Sequence, residues 1–259
     1  MSLSASNLTA GYDGTRVLDG VDVDITPGSL TVIVGPNACG KSTLLRTLAR
    51  SLRPGAGTVL LDGKDIAALP ARTLARRLGL LPQSATAPDG ITVHELVSRG
   101  RYPHQTALRQ WSPGDAAAVE AAMAAVSVEP LASRFVDELS GGQRQRVWLA
   151  LVLAQQTPTV LLDEPTTFLD IAHQHDLLDV CASLRDDGRT LVVVLHDLNQ
   201  ACRYADELIA MRAGRVVARG KPADVITPET VEAVFGLPCR VIEDPETGLP
   251  LVIARRRLG

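Results

Sequence analysis

The sequence predicts an α/β protein with a mainly parallel sheet. Three observations carry that reading: apolar runs of strand length, helical patterns lying between them, and a Gly-rich turn joining one such run to a helix. Val21–Ile25 ("VDVDI") alternates apolar and polar residues, as a half-buried strand does. Leu30–Val34, Val160–Leu162 and Leu191–Leu195 are denser runs, of the kind found in strands covered on both faces. Helical patterns are predicted over Lys41–Ser51, Asp115–Val126, Gly142–Gln155 and Ile171–Arg185. Strands alternating with helices in this way build a parallel sheet. The section from Ser84 to Thr157 has no comparable strand run and reads as a helical insertion into the α/β core. The turn-rich stretch "QSATAPDG" (Gln83 to Gly90) leads into it. From Ala205 onward the tail turns to short strands with Gly and Pro breaks.

Composition narrows the classes of function. A chain of 259 residues can bury a substantial core, and with 3% aromatics that core must be mostly Leu, Val, Ile and Ala. The net charge of −3 argues against a dedicated nucleic-acid binder, while leaving room for a local basic patch. Cys39, Cys181, Cys202 and Cys239 form no C-x-x-C pair, which fits reduced thiols better than a disulfide frame or a zinc site. The start "MSLSASNLTA" lacks the basic and apolar regions of a signal peptide. The longest apolar runs are far too short to span a bilayer, so any service to a membrane is expected to be peripheral.

The strongest motif is Gly35-Pro36-Asn37-Ala38-Cys39-Gly40-Lys41-Ser42, followed by Thr43, which satisfies G-x-x-x-x-G-K-[ST]. Glycines let successive N–H groups turn inward toward phosphate oxygens, beside the positive end of the next helix. In such a cradle Lys41 reaches the β- and γ-phosphates, and the Ser42 hydroxyl holds Mg²⁺. An exposed Lys-Ser at a helix start has no packing reason to exist, so ATP-type nucleotide binding is expected. A second signal is the run Thr159 to Thr166 ("TVLLDEPT"), a buried strand that ends in two carboxylates. Ligands of open α/β sheets lie at such ends. Asp163 suits the Mg²⁺ shell and Glu164 suits a general base for an attacking water, which points to hydrolysis of the γ-phosphate.

The stretch "LSGGQRQRVWLAL" from Leu139 distinguishes among nucleotide hydrolases. Ser140 can cap the following helix, and Gly141 and Gly142 expose N–H groups at its start, a second anion-binding terminus. With these motifs in this order, the sequence resembles the nucleotide-binding subunits of ATP-binding-cassette (ABC) transporters over nearly the whole chain. The resemblance implies a P-loop NTPase-type core with an N-terminal antiparallel β element. It also implies one domain over residues 1–259, with a helical subdomain near 84–157 and a β/α tail near 205–259. It further implies that Ser140, Gly141, Gly142 and Gln143 act across a dimer, on ATP held by the other copy. Tyr12 then stacks on adenine, Gln83 contacts Mg²⁺ and the attacking water, Asp170 lies in the loop linking the two sites, and His196 contacts the γ-phosphate. Thr167 and Phe168 depart from the wording usual in that loop.

A one-cassette chain without membrane spans must borrow its transport path from a permease, with a substrate-binding protein acting indirectly. That implies a peripheral place on the cytoplasmic face of the cell membrane. The stretches "ITVHELVSRGRYPHQ" (Ile91 to Gln105) and "HDLNQACRYAD" (His196 to Asp206), with the ending "LPCRVIEDPETGLPLVIA", resemble the ATPases of bacterial iron-siderophore importers. The haem and cobalamin importers are related alternatives. A soluble ABC ATPase acting on nucleic acid or ribosomes is an alternative of another class, and this chain lacks the second cassette or coiled coil usual there. Arg99, Arg101, Tyr102 and His104 serve equally as a permease dock or as a solvated helix face. Cys39 is unusual chemistry for a phosphate loop, where a maleimide is expected to obstruct binding. His173 and His175 diverge on a helix and make a poor metal pair. Arg255 to Arg257 read as a solvated tail rather than a lipid contact.

Overall fold

The structure, a computed structural model, describes residues 2–105 and 111–255. The chain forms two compact units, Met1–Ala68 with Thr190–Gly259, and Leu69–Arg189.

The first unit opens with β1 (Leu3–Tyr12), β2 (Thr15–Ile25), β3 (Leu30–Val34), α1 (Lys41–Leu48), β4 (Ala56–Leu61) and β5 (Lys64–Asp65). Strands β2, β1, β4 and β5 lie in that order in one antiparallel sheet. After the second unit the chain returns as β8 (Thr190–Val194), α7 (Leu198–Tyr204), β9 (Glu207–Arg212) and β10 (Arg215–Gly220). It ends with α8 (Pro222–Val225), α9 (Pro228–Phe235), β11 (Cys239–Glu243) and β12 (Pro250–Ala254). Strand β3 pairs in parallel with β8 on one side and β9 on the other, and β10 closes antiparallel on β9. Every residue of β3 and β8 is buried, as unbroken apolar runs require. Helix α1 stops at Leu48, short of the expected Ser51. Arg50 adopts a left-handed φ of 58°, and Ser51 and Leu52 both donate back to the Arg46 carbonyl.

The second unit contains α2 (Ala71–Ala75), β6 (Leu78–Leu81), α3 (Val93–Ser98), α4 (Pro113–Ala125), α5 (Gly141–Ala154), β7 (Thr159–Asp163) and α6 (Ile171–Asp186). Strand β6 pairs in parallel with β7. Among the described residues between β6 and β7 there is no named strand, only helices, 3₁₀ turns and an isolated bridge from Thr92 to Phe135. Helices α3, α4 and α5 pack on one another. Each starts at a reciprocal capping box, Thr92 with Glu95, Ser112 with Asp115, and Ser140 with Gln143.

The surface expected at residues 99–104 needs correction. Arg101 is buried, because its Nε donates to Asp115 Oδ1 at 2.9 Å and its Nη1 to the Ala154 carbonyl at 2.7 Å. Those bonds fix the start of α4 to the last turn of α5. His104 faces the Gln155 carbonyl at 2.8 Å. Tyr102, 58% exposed, and half-buried Arg99 are what that segment offers to solvent. The Ser112 hydroxyl, followed by the Arg101 guanidinium, holds the Asp115 carboxyl below its ordinary value, against desolvation that raises it. The folded carboxyl is therefore the stronger acid. Its contribution is complete above the unfolded value near 3.8 and disappears as pH falls toward the depressed folded value. Arg101→Met strands Asp115 without its cation, and we expect a loss of about 3 kcal/mol in urea unfolding at pH 7. The gap from wild type narrows as pH drops below 3.8.

Candidate nucleotide site

In the first unit the Gly35–Ser42 loop, the candidate phosphate cradle, runs from the buried end of β3 into α1. Gly35 lies so close to its neighbours that an added Cβ would sit 2.3 Å from the Met211 carbonyl oxygen and 2.7 Å from Cys39 Sγ. Gly40, the N-cap of α1, has φ 107°, a conformation that side chains resist. Ala38 is left-handed at φ 59°. Pro36 is half-buried and Asn37 exposed. Lys41 is buried, and its Nζ donates to the Gly35 and Pro36 carbonyls at 2.9 Å each. The ammonium is thus folded against its own loop. Ser42 is half-buried and Thr43 buried on the first turn of α1.

Cys39, where a maleimide is expected to obstruct phosphate binding, is buried. Burial raises its pKa, with Lys41 opposing the shift. The thiolate that a maleimide needs is disfavoured twice, by charge state and by access. Cys181, Cys202 and Cys239 are also free and buried, the first two pushed up to about 12.

Tyr12 closes β1 with its ring partly exposed, and its hydroxyl accepts from Arg46 Nη1 at 3.4 Å. His196 is exposed just past β8, in the turn where Asp197 caps α7 by accepting from the Asn199 and Gln200 N–H groups.

In the second unit β7 delivers Asp163, fully buried, followed by half-buried Glu164 with a left-handed φ of 52°. That conformation is costly for glutamate and turns the chain sharply at the strand end. Gln83, two residues past β6, donates from Nε2 to Glu164 Oε2 at 2.7 Å. Parallel pairing of β6 and β7 brings together two residues separated by 81 positions. The bond leaves the Gln83 amide oxygen for an acceptor role.

Ser140 caps α5, accepting from the Gln143 N–H at 3.3 Å, while Gln143 Oε1 accepts from the Ser140 N–H at 3.1 Å. The start of α5 and the Phe168–Asp170 segment line one cleft of about 500 Å³. Phe168 is 76% exposed, with φ 69°, and packs beside Gly141. Its departure from the expected loop wording therefore changes the wall of this cleft. Asp170 has a local duty that sequence reasoning missed. It caps α6, accepting from the His173 N–H at 2.9 Å and meeting His173 Nδ1 at 2.7 Å. The same two bonds, backbone first, hold its carboxyl below the ordinary value. Among the described residues no group of three or more His, Cys, Asp and Glu side chains could hold a metal ion. Arg256 and Arg257 lie outside the described residues.

Residues 18–167 match the ABC transporter family. The chain belongs to that family. It is 54% identical over 252 residues to the ferric enterobactin transport ATP-binding protein FepC of Escherichia coli (strain K12), covering 97% of this chain and 93% of that one. It is 50% identical to the probable siderophore transport ATP-binding protein YusV of Bacillus subtilis (strain 168), with 99% and 94% covered. The hemin import ATP-binding protein HmuV of Rhodococcus jostii (strain RHA1) is 43% identical, with 99% and 87% covered. Among solved structures, a chain of an inward-facing metal-chelate type ABC transporter superposes with TM-score 0.83 at 26% identity, covering 99% and 98%. A dimeric bacterial ABC transporter cassette gives 0.77 at 28% identity, covering 85% and 98%. The chain has both a four-stranded antiparallel sheet and mainly parallel strand pairing. No helix among the described residues is long and apolar enough to cross a membrane.

Proposed function

We propose that this ABC chain is the ATP-hydrolysing subunit of an importer for iron-siderophore complexes. It works as a pair of copies beneath a membrane permease, on the cytoplasmic face, with a substrate-binding protein delivering the cargo. The observation that carries this reading is near-full-length identity of about half to transport subunits named for ferric enterobactin and siderophores. The hemin relative is more distant at 43%.

In this reading the loop N–H groups from Gly35 to Thr43 and the start of α1 receive the phosphates of ATP. Lys41 exchanges its two carbonyl acceptors for β- and γ-phosphate oxygens. The Tyr12 ring supports adenine. Ser42 in the first unit would offer Mg²⁺ a hydroxyl oxygen, and Gln83 and Asp163 in the second would offer amide and carboxylate oxygens, all hard donors of the kind it takes. The chemistry Mg²⁺ would supply when bound is neutralisation of charge on the β- and γ-phosphate oxygens. Glu164 takes a proton from the attacking water, and Gln83, already bonded to Glu164, orients both. His196 donates to the γ-phosphate. Ser140, Gly141, Gly142 and Gln143 of the second copy cover the same phosphate, and Asp170 lies beside that junction. The gain is electrostatic, from donors aimed before the reaction starts.

The test is hydrolysis by the chain reconstituted with its permease in vesicles. A binding protein loaded with ferric siderophore should stimulate the rate, and the same protein without cargo should not. Stimulation by haem- or cobalamin-loaded partners instead would reassign the cargo. Stimulation by DNA or RNA alone would remove the chain from import.

A further inference from the structure

Helix α7 starts two residues after His196 and is seven residues long, too short to be stable by itself. Ala201 and Cys202 bury its inner face. Two further side chains tie it to the β11–β12 hairpin. Asn199 Nδ2 donates to the Val252 carbonyl at 3.3 Å, and Asn199 Oδ1 accepts from the Val252 N–H at 2.8 Å. The amide therefore imitates a neighbouring strand along β12 and satisfies both main-chain groups of one residue. Arg203, four positions further and on the same helix face, pairs with Asp244 at 3.1 Å. Asp244 is itself only 13% exposed, and it holds the hairpin turn by accepting from the Glu246 N–H at 2.9 Å. Upstream of His196, β8 is wholly buried and fixed. Downstream, the position of the turn depends on α7. The hairpin lies outside residues 18–167, the span matched to the family.

We propose that the β11–β12 hairpin is a positioning device for His196, with Asn199 and Arg203 as positioning residues that act through α7. Loss of either tie lets α7 shift, and the exposed turn carrying His196 shifts with it. Binding of ATP through the phosphate loop is untouched, because none of these groups belongs to the loop. The inference rests on the role given to His196 above.

The experiment is steady-state hydrolysis by the full chain, with thermal midpoints measured alongside. Asn199→Ala should lower kcat about tenfold, the scale of a displacement well under 1 Å, with KM for ATP unchanged. Asn199→Asp keeps the acceptor for Val252 N–H and should fall between. Arg203→Ala should repeat the effect by an independent contact, and Arg203→Lys should restore much of it. In a His196→Ala background, Asn199→Ala should add nothing further, since the residue it positions is gone. Full turnover in His196→Ala alone would sink the histidine's role and this inference with it. If His196→Ala is slow, three results would overturn the hairpin's role by itself. They are unchanged kcat in both Asn199→Ala and Arg203→Ala, an equal fold-loss of Asn199→Ala in both backgrounds, or a loss confined to KM.

Discussion

Glu164→Gln should leave ATP binding intact and lower turnover by about a hundredfold or more, the scale of a lost general base. The substitution isolates one property. Glutamine has the shape of glutamate, suffers the same left-handed backbone at φ 52°, and its amide oxygen can still accept from Gln83 Nε2. Only the charge and the capacity to take a proton are removed. With hydrolysis stalled, two copies should stay closed on their nucleotides, and size-exclusion chromatography with ATP should show a dimer that wild type does not retain. Phosphate release within a few-fold of wild type would mean that Glu164 is not the base.

The sequence made the Gly35–Ser42 loop and the start of α5 visible because both are local: each is a contiguous run at a helix terminus, and contiguity is what a sequence displays. The strands β3, β7 and β8 were equally plain, since burial on both faces demands unbroken apolar runs. Less visible were β1, β4 and β6. In β1, Asn7 is left-handed and the pairing with β2 slips at several points, so the alternation of Leu3 and Ala5 changes phase before Leu8 and Ala10. Helix α3 has six residues, too few for a helical period, although its capping box is written in Thr92 and Glu95. Arg101 was misjudged as surface for a related reason. The carboxylate that allows its burial is 14 residues away, across a segment with no readable pattern. The Gln83–Glu164 bond and the Asn199–Val252 pair span 81 and 53 residues, and only the folded topology brings such partners together.

Gly141→Asp should abolish nearly all hydrolysis, a loss on the order of a hundredfold to a thousandfold, while each copy still binds ATP through its own loop. At this position folding and function make opposite demands. Gly141 is the first residue of α5, where a carboxylate favours the helix by about 0.3–1 kcal/mol. An added Cβ there meets Phe168 Cβ at 3.3 Å and Cγ at 3.6 Å, so the Phe168 main chain must yield by a few tenths of an ångström. The dipole gain and the steric cost oppose each other, so the variant should stay folded with a thermal midpoint within a few degrees of wild type. In the proposed closed pair the same carboxylate would face the γ-phosphate of the opposite copy, where like charges repel across a site that excludes water. Binding of a fluorescent ATP analogue to the dilute protein should be unchanged, and turnover should collapse. A second signature follows from an active centre shared between copies. In the dilute limit the wild-type rate should rise with the square of protein concentration, because each working site needs two chains. A rate linear in concentration, together with near-normal turnover of Gly141→Asp, would mean that one copy carries a complete reaction centre.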